Sequence, residues 1–236
     1  MGCFASLSAL GAVLTLAAAG DDHLTIGTEA AFPPYVSQTA AGDLQGFDVD
    51  LMTGICTRQA FVCDWQLATF DELIPGVMDG RFDVVLGGMA ITEERRAKVD
   101  FSEPYHQADD TEWFVGPAGA PQPAQAKTAV QAGTLHESWL RDQGLDYRAY
   151  PTEAAVLQAL IEGHSDLAFG PFDNRADLSD FFTDKGLTWL YDVHLTDEGT
   201  AMAVCKGNDA LRTRLNAAIQ AMRDDGTLDT LDTRWF

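Results

Sequence analysis

Positive charge is scarce in this 236-residue chain. Fifteen Lys and Arg residues stand against 36 Asp and Glu residues, which gives a formal net charge of −21 at pH 7. Such a surface repels phosphate backbones and anionic lipid headgroups, so neither nucleic acid nor a membrane surface is expected as a partner. Hydrophobic residues make up 46% and charged residues 22% of the chain, which is typical of a globular protein and excludes a disordered one.

Cysteine is also scarce. The chain has four cysteines, with no CxxC motif and no cluster of histidines, so we expect no metal site and no cofactor. Cys56 and Cys63 are seven residues apart, and they either close a small disulfide loop in an oxidising compartment or remain buried thiols. Cys205 has no obvious partner and is expected to be a free thiol in a strand.

Charged residues are absent from residues 1–19, where an apolar run ends in three alanines before Gly20. This pattern is typical of a secretory signal peptide, although the usual Lys or Arg near the start is missing. The run is too short for a transmembrane helix. We therefore expect an exported, soluble, periplasmic protein whose mature chain starts near Gly20.

Strand-like and helix-like segments alternate along the remaining chain. Apolar runs predict strands at residues 24–28, 62–67, 84–86, 112–115, 127–131 and 166–169. Helical periodicity follows the candidate N-caps Asp48, Asp71, Thr92, Thr134, Thr152 and Asn208. The alternation predicts an α/β fold.

One helix–glycine–strand unit recurs with an offset of 83 residues. Its first copy contains Leu73, Ile74, Val77, Met78, Gly80, Asp83 and Gly87, and its second contains Val156, Leu157, Leu160, Ile161, Gly163, Asp166 and Gly170. The repeat predicts two similar lobes. A cleft between two lobes is a favoured place for a ligand.

The first copy leads directly into a candidate anion site. Gly87 and Gly88 permit a close backbone approach, and Thr92 is a good N-cap for a short helix. Arg95 then follows the carboxyl end of a buried strand, where open α/β sheets bind ligands. Its guanidinium can hold a carboxylate through two parallel hydrogen bonds.

Residues elsewhere in the chain are predicted to face Arg95. The Gly133-Thr134 turn would start a helix in the second lobe and present free backbone N–H groups to the same carboxylate. Glu29, Phe32 and Phe70 lie at strand ends or in the following loops. The two phenylalanines would enclose an apolar or planar part of the ligand, although either one alone would also suit a core.

Several motifs together resemble a known family. They are IGTE (26–29) with FPPY (32–35), GFDVDL (46–51), FDELIP (70–75), ITEER (91–95), DFSEPY (100–105) and MRDDGT (222–227). Over residues 22–236 the chain resembles the periplasmic solute-binding proteins of polar amino-acid ABC transporters, in particular the lysine/arginine/ornithine- and histidine-binding group. The resemblance implies two α/β lobes joined by two hinge strands that close on the ligand. It also implies a Cys56–Cys63 disulfide.

The resemblance assigns a role to each candidate position. Arg95 is the carboxylate clamp, and Gly88 and Thr134 contact the amino-acid head. Phe32 and Phe70 flank the ligand's side chain, while Glu29 reads its polar tip. The complete predicted site is Glu29, Phe32, Phe70, Gly88, Ala90, Arg95, Thr134, Leu135, His136 and Asp173.

Three departures from the family pattern concern the ligand. Leu135 replaces a frequent Thr and His136 a frequent Gln. Pro171 stands where an acidic residue usually pairs with the ligand's α-ammonium. Either Asp173, two residues further on, takes over this role, or the ligand lacks a free α-ammonium.

The predicted domain organisation follows from the resemblance. Residues 1–19 are the signal peptide, residues 20–107 and 197–236 form the first lobe, and residues 108–196 form the second. The expected function is that of a monomeric binding protein without catalytic activity. It would capture a small carboxylate-bearing ligand, an amino acid or a derivative, and deliver it to an inner-membrane ABC transporter.

Two other functions use the same fold. An exported cyclohexadienyl dehydratase-like enzyme would need a general acid or base beside the clamp, for which Glu29, His136 and Asp173 are candidates. A sensory binding domain would normally be fused to a membrane segment and an output module.

Overall fold

The computed structural model describes residues 22–107, 111–172, 175–195 and 198–236. The predicted signal peptide and Asp173 lie outside these residues. The strands are β1 (His23–Thr28), β2 (Ala31–Phe32), β3 (Val36–Gln38), β4 (Leu44–Gln45), β5 (Val62–Leu67), β6 (Val84–Val85), β7 (Val99–Phe101), β8 (Thr111–Pro117), β9 (Thr128–Gln131), β10 (Tyr147–Tyr150), β11 (Leu167–Gly170), β12 (Leu187–His194) and β13 (Ala203–Cys205). The helices are α1 (Phe47–Gln59), α2 (Phe70–Met78), α3 (Glu93–Arg96), α4 (Leu135–Asp142), α5 (Glu153–Ile161), α6 (Ala176–Lys185), α7 (Asp209–Asp224) and α8 (Thr227–Trp235), with a short 3-10 helix at Pro123–Gln125.

The fold is α/β with two similar lobes, each built on one mixed sheet. The first sheet has the strand order β5-β1-β6-β13-β7 and the second has the order β10-β9-β11-β8-β12. In both sheets the first three strands are parallel and the last two join them in antiparallel pairs. The matching directions confirm the two similar lobes that the repeat predicts.

Both sheets are covered on their two faces, as short apolar strands require. In β6, Val84 packs into the cluster that contains helices α1 and α7, while Val85 packs into the cluster that contains α2. Both side chains are fully buried. In β11, Ala168 and Phe169 likewise enter two different clusters of the second lobe.

The 83-residue repeat has the same hydrogen bonds in each lobe. Asp83 accepts a bond from the Thr25 backbone N–H at 2.8 Å, and Asp166 accepts one from the Lys127 N–H at 2.8 Å. Each aspartate therefore fixes the strand that follows it to the start of the neighbouring strand. This shared function explains why both copies keep the aspartate.

The chain passes between the two sheets twice, from β7 to β8 and from β12 to β13. The two connections meet in an antiparallel bridge between His106 and Thr200. The predicted lobe boundaries at 107/108 and 196/197 adjoin residues outside the described part of the chain, and they stay a prediction.

Several predicted helix starts are confirmed, and two are wrong. Thr92, Thr134, Thr152 and Asn208 each accept a hydrogen bond from a backbone N–H in the first helical turn. The predicted caps Asp48 and Asp71 instead lie inside the first turns of α1 and α2, whose N-cap residues are Gly46 and Thr69. An aspartate in the first turn also suits the positive end of a helix, so the sequence pattern does not separate the two placements.

The segment with Glu29 and Phe32, predicted to be a strand end or the following loop, contains the short strand β2. It pairs with β3, which in turn pairs with β4 in a small antiparallel sheet. These strands have two or three residues each, too few for an apolar alternation to be recognised in the sequence.

One of the two cysteine predictions is confirmed and the other is wrong. Cys56 and Cys63 form a disulfide between the end of α1 and β5, as the family resemblance implies. Cys205 is disulfide-bonded, so the prediction of a free thiol is wrong.

Within the described ranges, no helix combines the length and apolar character needed to cross a membrane.

Candidate functional site

A cavity of about 480 Å³ lies where elements of the two lobes meet. This volume is in the range of small-molecule binding sites. Its lining contains every predicted site residue that the structure describes: Glu29, Phe32, Phe70, Gly88, Ala90, Arg95, Thr134, Leu135 and His136. The structure therefore brings together residues that are up to 107 positions apart in the sequence, whereas Asp173 lies outside the described part.

Arg95 is the buried cation of the first lobe in this cavity. The short helix α3, capped by Thr92, carries it, and 7% of its surface is exposed. Its Nη1 donates to the Ala90 carbonyl at 2.6 Å, and its Nη2 donates to the Gly133 carbonyl of the second lobe at 3.0 Å. The Phe70 ring packs over the guanidinium at 5.2 Å. The contacts with Ala90 and Phe70 lie within the first lobe, so they orient the side chain independently of the second lobe.

The start of α4 faces Arg95 from the second lobe. The Thr134 hydroxyl donates to the Gln131 carbonyl at 2.8 Å and accepts from the Glu137 N–H at 3.3 Å. The Glu137 carboxylate accepts from the Gly133 N–H at 2.7 Å. This reciprocal cap occupies two backbone donors of the turn, so the expectation that the turn offers free N–H groups is wrong for these two.

Gly88 has a structural reason to be glycine. Its φ is +61°, and an added Cβ would lie 2.5 Å from the Phe32 ring. Its N–H donates to the buried Asp48 carboxylate at 2.9 Å. Any contact between Gly88 and an amino-acid head would therefore use its carbonyl oxygen. Phe32 also stacks on Tyr35, with ring centroids 5.3 Å apart.

Glu29 is a buried carboxyl group with an unusual pKa. It is 5% exposed, and its Oε2 accepts from Gln131 Nε2 of the second lobe at 2.9 Å. Burial raises the pKa of Glu29 from 4.5 to about 7; the bond from Gln131 opposes this shift, and the charge of Glu153 adds to it. A cation beside Glu29 would therefore favour the ionised carboxylate and lower its pKa again.

Glu153 and Arg175 form a buried ion pair in the second-lobe wall of the cavity. Arg175 donates through Nη1 and Nη2 to the two carboxylate oxygens at 3.1 and 3.0 Å. The guanidinium also lies 5.8 Å from the Phe32 ring, across the cleft. The two opposite charges offset each other, so the pair adds no net charge to the cavity.

His136 and Glu112 lie against each other in the same wall. His136 Nε2 lies 2.9 Å from Glu112 Oε2, and the two side chains are 6% and 13% exposed. The two groups are not aligned for a hydrogen bond, so both atoms are fully buried without a hydrogen-bond partner among the described residues.

The sequence interpretation missed the cavity residues Glu112, Gln131, Glu153 and Arg175. Gln131 is the last residue of a predicted strand and Glu153 immediately follows the predicted cap Thr152, and these positions are the signal that could have revealed them. Glu112 and Arg175 carry no such signal. No group of three His, Cys, Asp or Glu side chains in the described ranges could hold a metal ion.

The chain is similar to known proteins over nearly its whole length. Residues 24–236 match the model of the bacterial extracellular solute-binding proteins, family 3. The chain is 30% identical over 239 residues to the putative ABC transporter arginine-binding protein 2 of Escherichia coli K12, covering 98% of this chain and 97% of that protein. It is 32% identical over 236 residues to the L-arginine-binding protein of Pseudomonas aeruginosa, covering 92% and 89% respectively.

The fold is also similar to solved structures. An ancestral arginine-binding protein bound to arginine matches with a TM-score of 0.81 and 30% identity, covering 91% of this chain and 98% of the other. The family match spans nearly all of the described residues, and it agrees with the two lobes and the cavity between them. The chain belongs to the bacterial extracellular solute-binding proteins of family 3.

Proposed function

We propose that this protein captures an amino acid with a cationic side chain in the cleft and delivers it to an inner-membrane ABC transporter. The observation that carries the proposal is the presence of a buried guanidinium, Arg95, and a buried carboxyl group, Glu29, in the lining of one cavity of about 480 Å³. The two groups suit the two ends of such a ligand.

The carboxylate end of the ligand is assigned to Arg95. A guanidinium binds a carboxylate through parallel, charge-assisted hydrogen bonds, which are stronger in a buried site than in water. The carbonyl of Ala90 and the ring of Phe70, both in the first lobe, already hold this side chain in place. Little side-chain entropy is therefore lost when the ligand binds.

The cationic end is assigned to Glu29. Ionising this carboxyl group without a partner is unfavourable, because burial raises its pKa to about 7. A guanidinium or ammonium group of the ligand removes that penalty. The arginine-binding relatives, similar over most of their length, support the same ligand class.

Contacts between the lobes support closure around the ligand. Arg95 donates to Gly133, Gln131 donates to Glu29, and both Ser138 and Arg141 donate to Glu94 across the cleft. Ligand binding in a two-lobe protein favours the closed state when these contacts form together with those to the ligand. We further propose that the protein is periplasmic, exported by a signal peptide at residues 1–19, monomeric and without catalytic activity.

Isothermal titration with four arginine-related compounds tests the ligand class. L-Arginine should bind. Agmatine, which lacks the carboxylate, and L-citrulline, which lacks the cationic charge, should each bind at least tenfold more weakly. L-Lysine separates a general cation site from a guanidinium site. Equal affinity for arginine and citrulline would contradict the role of Glu29, and tight agmatine binding would contradict the role of Arg95.

The dehydratase alternative has its own test. Incubation of the protein with prephenate or arogenate should yield no aromatic product by ultraviolet absorbance. Product formation that depends on Glu29 or His136 would assign the chain to the enzymes instead.

A further inference from the structure

Three carboxylates line the described part of the cavity: Glu29, Glu112 and Glu153. Both oxygens of Glu153 accept bonds from Arg175. Glu29 belongs to the first lobe, where it accepts from Gln131 and is assigned to the side-chain end of the ligand. Glu112 Oε2 is buried against His136 Nε2 at 2.9 Å and has no aligned hydrogen-bond donor in the described ranges.

The strand register, continued by one residue, sets Glu112 opposite Pro171. β8 and β11 are antiparallel, and Gly170 and Trp113 form the last pair of their register. Pro171 directly follows the end of β11, so an unbroken register would make Pro171 and Glu112 neighbours. Side chains opposite each other in such a pair have Cβ atoms roughly 4.5–5.5 Å apart. Both residues line the cavity.

The start of α4 contacts both Glu112 and the carboxylate clamp. Arg95 donates to the Gly133 carbonyl, and His136, three residues later, contacts Glu112. Arg95 and Glu112 also line the same cavity. The carboxylate and ammonium groups of an α-amino acid share one carbon atom, so their two partners must lie in one cavity.

We propose that Glu112, held by His136, accepts hydrogen bonds from the α-ammonium of the ligand. This inference rests on the proposed function and adds the third charge of the ligand. Arg95 takes the carboxylate, Glu29 takes the side-chain cation, and Glu112 takes the α-ammonium. Because Oε2 is buried against His136, the ammonium group, which brings three donors, is assigned to the other carboxylate oxygen, Oε1.

The assignment also accounts for Pro171. Proline has no charge and no backbone N–H to offer, so the wall at this position supplies no partner for an ammonium. Glu112, on the neighbouring strand β8, would supply the carboxylate that Pro171 lacks. The alternative substitute is Asp173, and the experiment separates the two.

The test compares L-arginine with 5-guanidinopentanoic acid, its analogue without the α-amine, by isothermal titration calorimetry. Wild type, Glu112→Gln, Asp173→Asn and the exposed control Glu162→Gln are measured with both compounds. Glu112→Gln should weaken arginine binding at least 30-fold and change the affinity for the analogue less than threefold. Glu162→Gln should change neither.

Specific outcomes overturn the inference. Unchanged arginine binding in Glu112→Gln, or an equal loss of both compounds, removes Glu112 from the ammonium site. A selective loss of arginine in Asp173→Asn alone assigns the site to Asp173. If Glu112→Gln fails to fold by circular dichroism, Glu112→Asp replaces it. This variant should weaken arginine binding at least fivefold more than analogue binding, and equal effects overturn the inference.

The wild-type titrations distinguish failure of the inference from failure of the proposed function. Binding of the analogue without binding of any free α-amino acid leaves the carboxylate site standing and overturns the role of Glu112. Failure to bind either compound, or any cationic amino acid, contradicts the proposed function itself.

Discussion

Ligand binding should release a proton from Glu29. With the two lobes in contact and no ligand bound, burial raises the pKa of this carboxyl group to about 7, so most molecules in this arrangement carry the proton at pH 6. A ligand guanidinium or ammonium beside the carboxylate favours its ionised form and lowers the pKa again. Binding at pH 6 should therefore release about 0.9 proton per ligand, and binding at pH 8 about 0.1.

The same linkage determines the affinity. Below pH 7 the proton must leave before the ion pair forms, which costs about 1.4 kcal/mol for each pH unit. Arginine binding at pH 6 should be about tenfold weaker than at pH 8, and it should level off above pH 8. Affinity increases with pH because the pKa of Glu29 is raised when no ligand is bound. A carboxyl group with an ordinary pKa would already be ionised at pH 6, and its affinity for a cation would not change.

Calorimetry in phosphate and in imidazole measures the released protons, because both compounds buffer at pH 6 and pH 8 and they have different ionisation enthalpies. The Glu29→Gln variant is the matched control. It keeps the shape of the side chain and every other titratable group in the cavity, His106 and His136 included. A proton count of zero at pH 6 in the wild type, or an equal count in Glu29→Gln, would refute the reasoning.

Three further predictions concern the clamp, the closed state and the disulfide. Arg95→Ala should weaken arginine binding by about 2–5 kcal/mol in calorimetry, because it removes a charge-assisted contact in a buried cleft. The matched control is Arg96→Ala, which changes an exposed neighbour and should have little effect. Equal effects of the two substitutions would remove Arg95 from the site. Glu94→Gln removes an exposed cross-lobe ion pair with Arg141. The affinity for arginine should fall by about 0.2–1 kcal/mol in low salt and by less in 0.5 M NaCl. A loss of affinity that does not depend on salt would argue against a charge effect. Replacing Cys56 and Cys63 together by serine should lower the free energy of unfolding by about 2–3 kcal/mol in urea titrations, and unchanged stability would show that this short loop adds no constraint.

Local sequence patterns predicted the scaffold of the site because its repeated units are short and regular. The aspartates Asp83 and Asp166 and the glycines Gly80 and Gly163 have matching places in the two lobes. Thr92 caps α3, as its position before two glutamates indicates. Arg95 could therefore be placed at the cleft from neighbouring residues alone.

The second-lobe wall of the cavity could not be predicted in this way. Glu112 and His136 are 24 residues apart and meet through the register of β8 on β11 and the position of α4. Glu153 and Arg175 meet across a whole helix–strand unit. Neither contact occurs at a fixed spacing in the sequence, so a local sequence pattern cannot predict it. The error for Cys205 has the same origin, because its disulfide depends on tertiary structure.

A crystal structure of the protein with L-arginine tests the central claim most directly. The account predicts one arginine in the cleft, with its carboxylate within hydrogen-bond distance of Arg95 and its guanidinium against Glu29. An arginine in the reverse orientation, or a structure at saturating arginine with no ligand between the lobes, would contradict it.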